Sequence, residues 1–209
     1  MAKMPCPFFE LKNAVVGIAG LGGLGSNVAV ALTRLRVGKL ILADFDGVEE
    51  SNLNRQNYFH DQVGRHKVDA SMENLRRIDP DANLVGNKVR LNPDNIPQVF
   101  AGAHIIAECF DRADQKQMIV ETVLSKMKKT IIVTVSGLAG FGRSNEISTT
   151  RLSPRLVFVG DGVSRTGPGI PLTAGRVGVA AYHQANAITE ILLNELNFML
   201  LRGGTWTND

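Results

Sequence analysis

Cysteine is scarce in this chain: two residues, Cys6 and Cys109, among 209. Two thiols supply neither a disulfide framework nor a four-cysteine zinc site. Cys109 falls inside the apolar run 103–110, where a thiol is buried and inert, and Cys6 lies near a mobile chain end, where a reactive thiol need carry no function. Long apolar runs are also missing. None approaches the ~18 residues that a membrane-spanning helix needs, and the start Met1-Ala2-Lys3-Met4-Pro5 has no apolar leader core. A soluble, cytoplasmic protein without a membrane partner is expected. No block of one charge stands out either. The 23 basic and 20 acidic residues are interspersed, so the net charge of +3 gives no argument for nucleic acid. His60, His66, His104 and His183 are scattered without metal-ligand spacing and read as structural or surface residues. Repeats and low-complexity segments are absent.

The chain does carry a regular alternation of strand-like and helix-like segments: 14–19, 26–37, 39–44, 67–78, 84–91, 103–110, 113–128 and 130–136. That order predicts an α/β fold, a Rossmann-like doubly wound and mostly parallel sheet. The runs at 15–19 and 131–135 are continuously apolar, as strands covered on both faces should be, and belong at the sheet's centre. Beyond Gly137, segments 146–152 and 155–159 flank a Ser153-Pro154 turn and predict an antiparallel C-terminal extension. A C-terminal helix follows within 172–201, its apolar residues Val177, Val179, Ala180, Ala187, Ile188, Ile191, Leu192 and Leu196 at helical spacing. Such a stripe packs on the core or serves as a dimer face. One domain over 1–209 is expected, with a nucleotide-binding core at about 12–136 and the extension at about 137–201. The polar tail 203–209 is expected to fray.

Residues 20–25, Gly20-Leu21-Gly22-Gly23-Leu24-Gly25, join the first strand to the first helix. Glycines let the backbone turn sharply and approach a phosphate, while the helix start offers free N–H groups and a positive dipole end. An acidic residue about 20 positions further on is shared with dinucleotide-binding enzymes, and Asp44 at the end of the apolar run 39–44 fits that role. By itself Asp44 also fits a turn cap. Arg55 and Lys67 change the balance. A planar guanidinium fork and a compact ammonium near one glycine loop suit a triphosphate better than a dinucleotide. Lys67 alone would read as a solvated first-turn residue, yet a cation there opposes the helix dipole. Asp111 closes an apolar strand, where a carboxylate suits Mg²⁺ bridging phosphate oxygens or caps the helix that follows. Ligands on doubly wound sheets lie beyond the carboxyl ends of the strands, so all these motifs should share one crevice.

As a set, Gly20-Leu21-Gly22-Gly23-Leu24-Gly25, Asp44-Phe45-Asp46, Ser51-Asn52-Leu53-Asn54-Arg55-Gln56, Lys67 and Cys109-Phe110-Asp111 resemble the ubiquitin-activating superfamily. Within it they are most similar to bacterial sulfur-carrier adenylyltransferases of the ThiF and MoeB type, over about residues 8–195. Length and the segments 157–161 and 171–178 resemble the short ThiF proteins of thiamine thiazole synthesis. The resemblance implies ATP- and Mg²⁺-dependent adenylation of the C-terminal glycine carboxylate of a small ubiquitin-like sulfur carrier ending in Gly-Gly, with release of pyrophosphate, by a homodimer. It implies that Asp44 binds the ribose with Asp46 beside the nucleotide, and that Asn52, Arg55 and Gln56 contact phosphates. Lys67 would stabilise charge at the α- and β-phosphates, Asp111 would bind Mg²⁺, and Gly20, Gly22, Gly23 and Gly25 would supply room and N–H groups. Arg55, Lys67 and Asp111 form the expected catalytic set.

The chain departs from that pattern in places. It lacks the C-x-x-C pairs that hold zinc in longer relatives, so no zinc is expected. Segment 136–148 has no cysteine for a covalent carrier intermediate. Arg112 stands where the family often has Asn and reads as an added phosphate contact or a solvated charge, and the glycine-rich stretch 136–145 suits a mobile lid over the carrier's tail. Competing readings are an NAD-dependent oxidoreductase, which leaves Arg55, Lys67 and Asp111 without a role, and a non-catalytic nucleotide-binding scaffold, for which the site is too complete. Within the superfamily, MoeB-like adenylation and adenylation of a tRNA-linked carboxylate remain as other acceptors.

Overall fold

A computed structural model describes residues 11–201, and side chains through residue 194. Seven strands form one sheet: β1 (Val15–Ala19), β2 (Lys39–Asp44), β3 (Leu84–Lys88), β4 (Ile105–Glu108), β5 (Ile131–Val135), β6 (Ser148–Ser153) and β7 (Leu156–Gly160), in the order β3-β2-β1-β4-β5-β7-β6. All neighbours are parallel except β6 and β7. The strand order reverses between β1 and β4, which opens the crevice where doubly wound sheets bind ligands. The expected central runs β1 and β5 flank β4, whose four residues are all buried.

Helices α1 (Gly23–Arg34), α2 (Lys67–Ile78), α3 (Ile96–Val99), α4 (Ala113–Lys126) and α5 (Ala174–Leu201) cover the sheet. On one face Leu24, Val28 and Leu32 of α1 and Ala180, Ile188 and Leu192 of α5 share a core with the β-strand residues Val16, Ile18, Ile105 and Val133. On the other, Ile96 and Phe100 join Ile119 and Val123 of α4 over Ile41, Ile106 and Ile132. Each large aliphatic side chain so buried stabilises the fold by about 1.5–3 kcal/mol relative to exposure. The apolar stripe of α5 is thus core for Val177, Ala180, Ala187, Ile188, Ile191 and Leu192, with Val179 partly buried against it. The side chain of Leu196, residue Cys6 and the tail 203–209 lie outside the described residues.

One expectation needs correction. The strand expected at 84–91 ends at Lys88, and the short helix α3 follows, a segment too brief to show a helical period. The C-terminal extension is antiparallel as expected, β6 against β7, and it joins the sheet through the later strand, β7, which runs parallel to β5 with Val133 opposite Val157. Composition explains the exchange of places. Val157 and Val159 of β7 are buried, whereas Ser148, Thr149, Thr150, Arg151 and Leu152 of β6 are all exposed, so the apolar strand takes the inner position.

Candidate functional site

The loop between β1 and α1 is closed by two glycines. Gly20 adopts φ +91°, in the left-handed region that favours glycine, and a Cβ on Gly25 would stand 1.8 Å from the Gly20 carbonyl oxygen. Asp44, at the end of β2, locks this loop from the side. Its Oδ2 accepts the Leu21 N–H at 2.6 Å and its Oδ1 the Asp46 N–H at 2.7 Å. Burial pushes the Asp44 carboxyl above its ordinary value, against the pull of the Asp46 and Leu21 amides and the Lys67 ammonium. The sequence alternatives for Asp44, turn cap or ligand residue, are therefore not exclusive: the carboxylate organises both the glycine loop and the turn after β2. Behind it, the buried Tyr58 hydroxyl donates to the Leu21 carbonyl at 2.7 Å and meets Ser71 Oγ at 3.0 Å, a brace that sequence reasoning missed.

Lys67 is not a solvated first-turn residue. It is 7% exposed, with its N–H bonded to the Asp46 carbonyl at 3.0 Å and its Nζ 3.5 Å from Asp46 Oδ2. The isolated pairing of Gly47 with His66 and the bonds Val48 N–H to Arg65 O and Gly64 N–H to Val48 O zip the turn after β2 onto the start of α2. That local zipper delivers Lys67 to the Asp44 end of the crevice. Asp46 serves as its ion-pair partner.

The block 51–56 is folded against the glycine loop by side chains of α1. Asn27 Nδ2 donates to the carbonyls of Gly23, at 2.6 Å, and Arg55, at 3.2 Å, while Ser26 Oγ accepts the Asn57 N–H at 3.0 Å. A methyl group on Gly23 would lie 3.6 Å from Arg55 Cγ and 3.0 Å from Val177 Cγ1, so both side chains border the loop. The Arg55 guanidinium donates to the Ser51 carbonyl and to Asn54 Oδ1 at the crevice rim. Gln56 Nε2 is the side-chain atom nearest a Cβ on Gly22, at 3.9 Å, and its Oε1 is buried without a hydrogen-bond partner. Asn52 is differently occupied. Its Oδ1 accepts the Glu49 N–H at 3.2 Å and its Nδ2 reaches Ser51 Oγ at 3.4 Å, so its side chain holds the turn of the block.

Asp111 follows β4 and is exposed, and among the described residues its carboxylate has no hydrogen-bond partner. It does not cap α4, whose N-cap residue is Arg112 without a side-chain cap bond. Arg112 forms a bidentate pair with Asp114, at 3.0 and 2.8 Å, on the exposed surface, which accounts for its charge locally. No group of three or more His, Cys, Asp or Glu side chains converges among the described residues. A single outward carboxylate fits Mg²⁺, which keeps several waters and leans on one or two carboxylates plus substrate phosphates. One residue behind, Gly20 abuts the strand-end turn: a Cβ there would lie 3.0 Å from the Cys109 carbonyl oxygen and 3.3 Å from Phe110 Cδ1. Glu108 was missed. It is 0% exposed, and a charged residue closing an apolar strand was the signal that pointed to it. Burial also pushes the Cys109 thiol far up, and Gln184 from α5 holds it at 3.5 Å while donating to the Glu108 and Val133 carbonyls. Cys109 is inert, as expected.

The far wall of the crevice comes from the stretch 136–146 and the loop 161–173. The glycine-rich stretch is tied down. Buried Arg176, from the first turn of α5, donates to the carbonyls of Gly142 and Arg143 at 2.8 and 2.9 Å and pairs with Asp161. Asp161 in turn accepts the N–H groups of Val163 and Ser164, and Thr173 Oγ1 donates to the Gly140 carbonyl. The stretch expected to be a mobile lid is thus anchored at its middle, though Phe141 at its tip is 77% exposed.

Comparison with known proteins agrees with this fold. The model of the ThiF family matches residues 9–194. The chain is 34% identical over 116 residues to "Adenylyltransferase and sulfurtransferase uba4" of Aspergillus niger, covering 55% of this chain and 24% of that protein. It is 31% identical over 147 residues to the UBA4 protein of Saccharomyces cerevisiae, covering 69% and 33%. The chain thus spans a third or less of the length of these relatives. Among solved structures, tRNA N6-threonylcarbamoyladenosine dehydratase, TcdA, of E. coli in complex with ATP superposes with a TM-score of 0.80 at 21% identity, covering 95% of this chain and 91% of that one. E. coli MccB with succinimide gives 0.68 at 23%, covering 90% and 58%. With the family model matching nearly the whole described chain, the protein belongs to the ThiF family.

Proposed function

We propose that this chain is an adenylyltransferase that uses ATP and Mg²⁺ to activate the C-terminal glycine carboxylate of a small ubiquitin-like sulfur carrier ending in Gly-Gly. The observation that carries the reading is the gathering of four motifs around one glycine loop: Asp44 bonded to Leu21, Lys67 beside Asp46, Arg55 against Gly23, and the Asp111 turn against Gly20. An NAD-dependent oxidoreductase has no use for the last three.

The chemistry needs no protein nucleophile. A carboxylate oxygen of the carrier forms a bond to the α-phosphorus, the bond from that phosphorus to the bridging oxygen breaks, and pyrophosphate leaves with the electron pair. The chain's part is positioning and charge neutralisation. The N–H groups at the start of α1 face the phosphates, Asp44 accepts from the ribose hydroxyls, and Gln56 lies against the loop. Arg55 and Lys67 offset the negative charge that builds on the phosphate oxygens in the transition state. Mg²⁺, held by Asp111 and the phosphates, would neutralise further charge there. The sulfurtransferase named in the A. niger and S. cerevisiae relatives supports a sulfur carrier as acceptor, and the resemblance of segments 157–161 and 171–178 to ThiF proteins favours the carrier of the thiamine thiazole pathway. A homodimer and a single functional domain over 1–209 complete the proposal.

The test is exchange of labelled pyrophosphate into ATP with Mg²⁺, with and without a Gly-Gly carrier of the thiazole pathway. Carrier-dependent exchange is expected. Exchange supported only by a molybdopterin-type carrier or by a tRNA carrying a carboxylate would move the acceptor within the family. Tight NAD binding without exchange would overturn the reading.

A further inference from the structure

We infer that Glu108 and Lys116 are positioning residues for Asp111: a buried ion pair shapes the turn that carries the metal-binding carboxylate. The inference rests on the assignment of Mg²⁺ to Asp111 made above. Glu108 ends β4, the central strand, and none of it is exposed. Both carboxylate oxygens meet Lys116 Nζ, at 3.0 and 3.1 Å. Oε1 also accepts the Phe110 N–H at 2.7 Å, and Oε2 accepts the Thr134 hydroxyl at 2.7 Å and the Val135 N–H at 3.5 Å. A carboxylate is costly to bury unless it is paired and hydrogen-bonded, and an aliphatic side chain of similar size commonly serves stability as well or better. Stability of the sheet therefore gives no reason for an acid at this position.

The acid does something an aliphatic residue cannot. It captures the amide two residues ahead and so bends the chain after β4. Cys109 still pairs with β1 through its N–H to the Ala19 carbonyl at 2.9 Å, and its own carbonyl rests against Gly20. At Phe110 the chain leaves the sheet, fixed from below by Glu108. Lys116 belongs to α4, so the same carboxylate also holds the helix on the far side of Asp111. Both ends of the short segment 109–112 are thereby tied to one buried group, and the exposed Asp111 is presented outward by its backbone. Partners behind a ligating carboxylate commonly alter metal affinity when removed, by about 10- to 100-fold.

The experiment measures Mn²⁺ binding to the full chain with ATP by electron paramagnetic resonance, alongside the Mg²⁺ dependence of pyrophosphate exchange. Glu108→Gln and Lys116→Met are expected to weaken Mn²⁺ binding about tenfold and raise the half-saturating Mg²⁺ by the same factor. ATP binding without metal stays at the wild-type value, and Lys116→Arg restores Mn²⁺ affinity. Should Glu108→Gln fail to fold, the Lys116 pair of variants decides alone. Folded variants with wild-type Mn²⁺ affinity, or a Lys116→Arg no better than Lys116→Met, would overturn the inference while leaving adenylation standing. Mn²⁺ binding that depends on Asp111 and Glu108 in a chain that exchanges no pyrophosphate would do the reverse. Mn²⁺ binding indifferent to Asp111→Ala overturns the inference together with the assignment of the metal to Asp111, and pyrophosphate exchange then decides adenylation alone.

Discussion

The two walls of the crevice are built on different principles. The wall formed by β1, β2 and α1 is made of strand ends and close backbone contact, with Gly25 against Gly20 and Asp44 bridging two amides. The opposite wall, 136–146 and 161–173, has little regular structure and is gathered by one buried cation, Arg176, acting on two carbonyls and Asp161. The first wall is therefore set by close backbone contact, and the second by a buried ion pair together with loop-to-loop bonds such as Gly140 N–H to Pro171 O and Thr173 Oγ1 to Gly140 O. Catalytic residues should fail functionally without unfolding the protein, whereas the Arg176 cluster should fail structurally without touching the phosphates.

The largest effect that sharpens this contrast is on turnover. Arg55→Ala and Asp111→Ala should each lower carrier-dependent exchange about 1,000-fold, equivalent to about 4 kcal/mol of transition-state stabilisation. Both side chains lie at the surface end of their turns, so melting temperatures should stay within a few degrees. Comparable exchange in both variants would break the assignment. The next effect is on stability. Asp161→Asn strands a buried guanidinium and should cost about 3 kcal/mol at pH 7, read by denaturant unfolding, with ATP affinity retained. Burial alone would raise the Asp161 carboxyl, but the N–H groups of Ser164 and Val163, the Ser164 hydroxyl and Arg176 outweigh it and hold it below the ordinary carboxylate range. With the folded value depressed, the contribution is complete above the unfolded value of about 3.9 and is lost as pH falls through the lower folded one. The gap between wild type and Asp161→Asn should therefore close below about pH 4. A gap independent of pH would show that another contact carries this wall. The smallest effect is at Asp44, where Asp44→Asn should weaken ATP binding by about tenfold and also lower the melting temperature, because one oxygen is lost to an amide. Loss of affinity with unchanged stability would separate the two roles that the structure joins.

What the sequence made legible follows the same division. In a parallel sheet, motifs at the carboxyl ends of successive strands meet whatever the details of packing, so the glycine loop, Asp44, Lys67 and Asp111 could be assembled from their order alone. The Arg176 to Asp161 pair joins two loops and a helix, and Glu108 to Lys116 spans a turn and the first turns of α4. Neither spacing repeats a helical or strand period, and nothing local advertises them. The place of β7 was hidden for a related reason: a hairpin turn at Ser153-Pro154 dictates that two strands are neighbours, not which of them faces β5. Asn52 shows a subtler limit, since a residue in a binding block can spend its side chain on holding the block's own turn.

One consequence of the glycine loop reaches beyond its geometry. Gly25 and Gly20 are held together by contact, with no room for even a methyl group between them. Contact of this kind carries no charge to screen, no proton to titrate and no thiol to oxidise. Changes of salt or acidity that would loosen the arginine-gathered wall leave this one contact untouched, and acid reaches the loop only through the Asp44 carboxylate that locks it from the side.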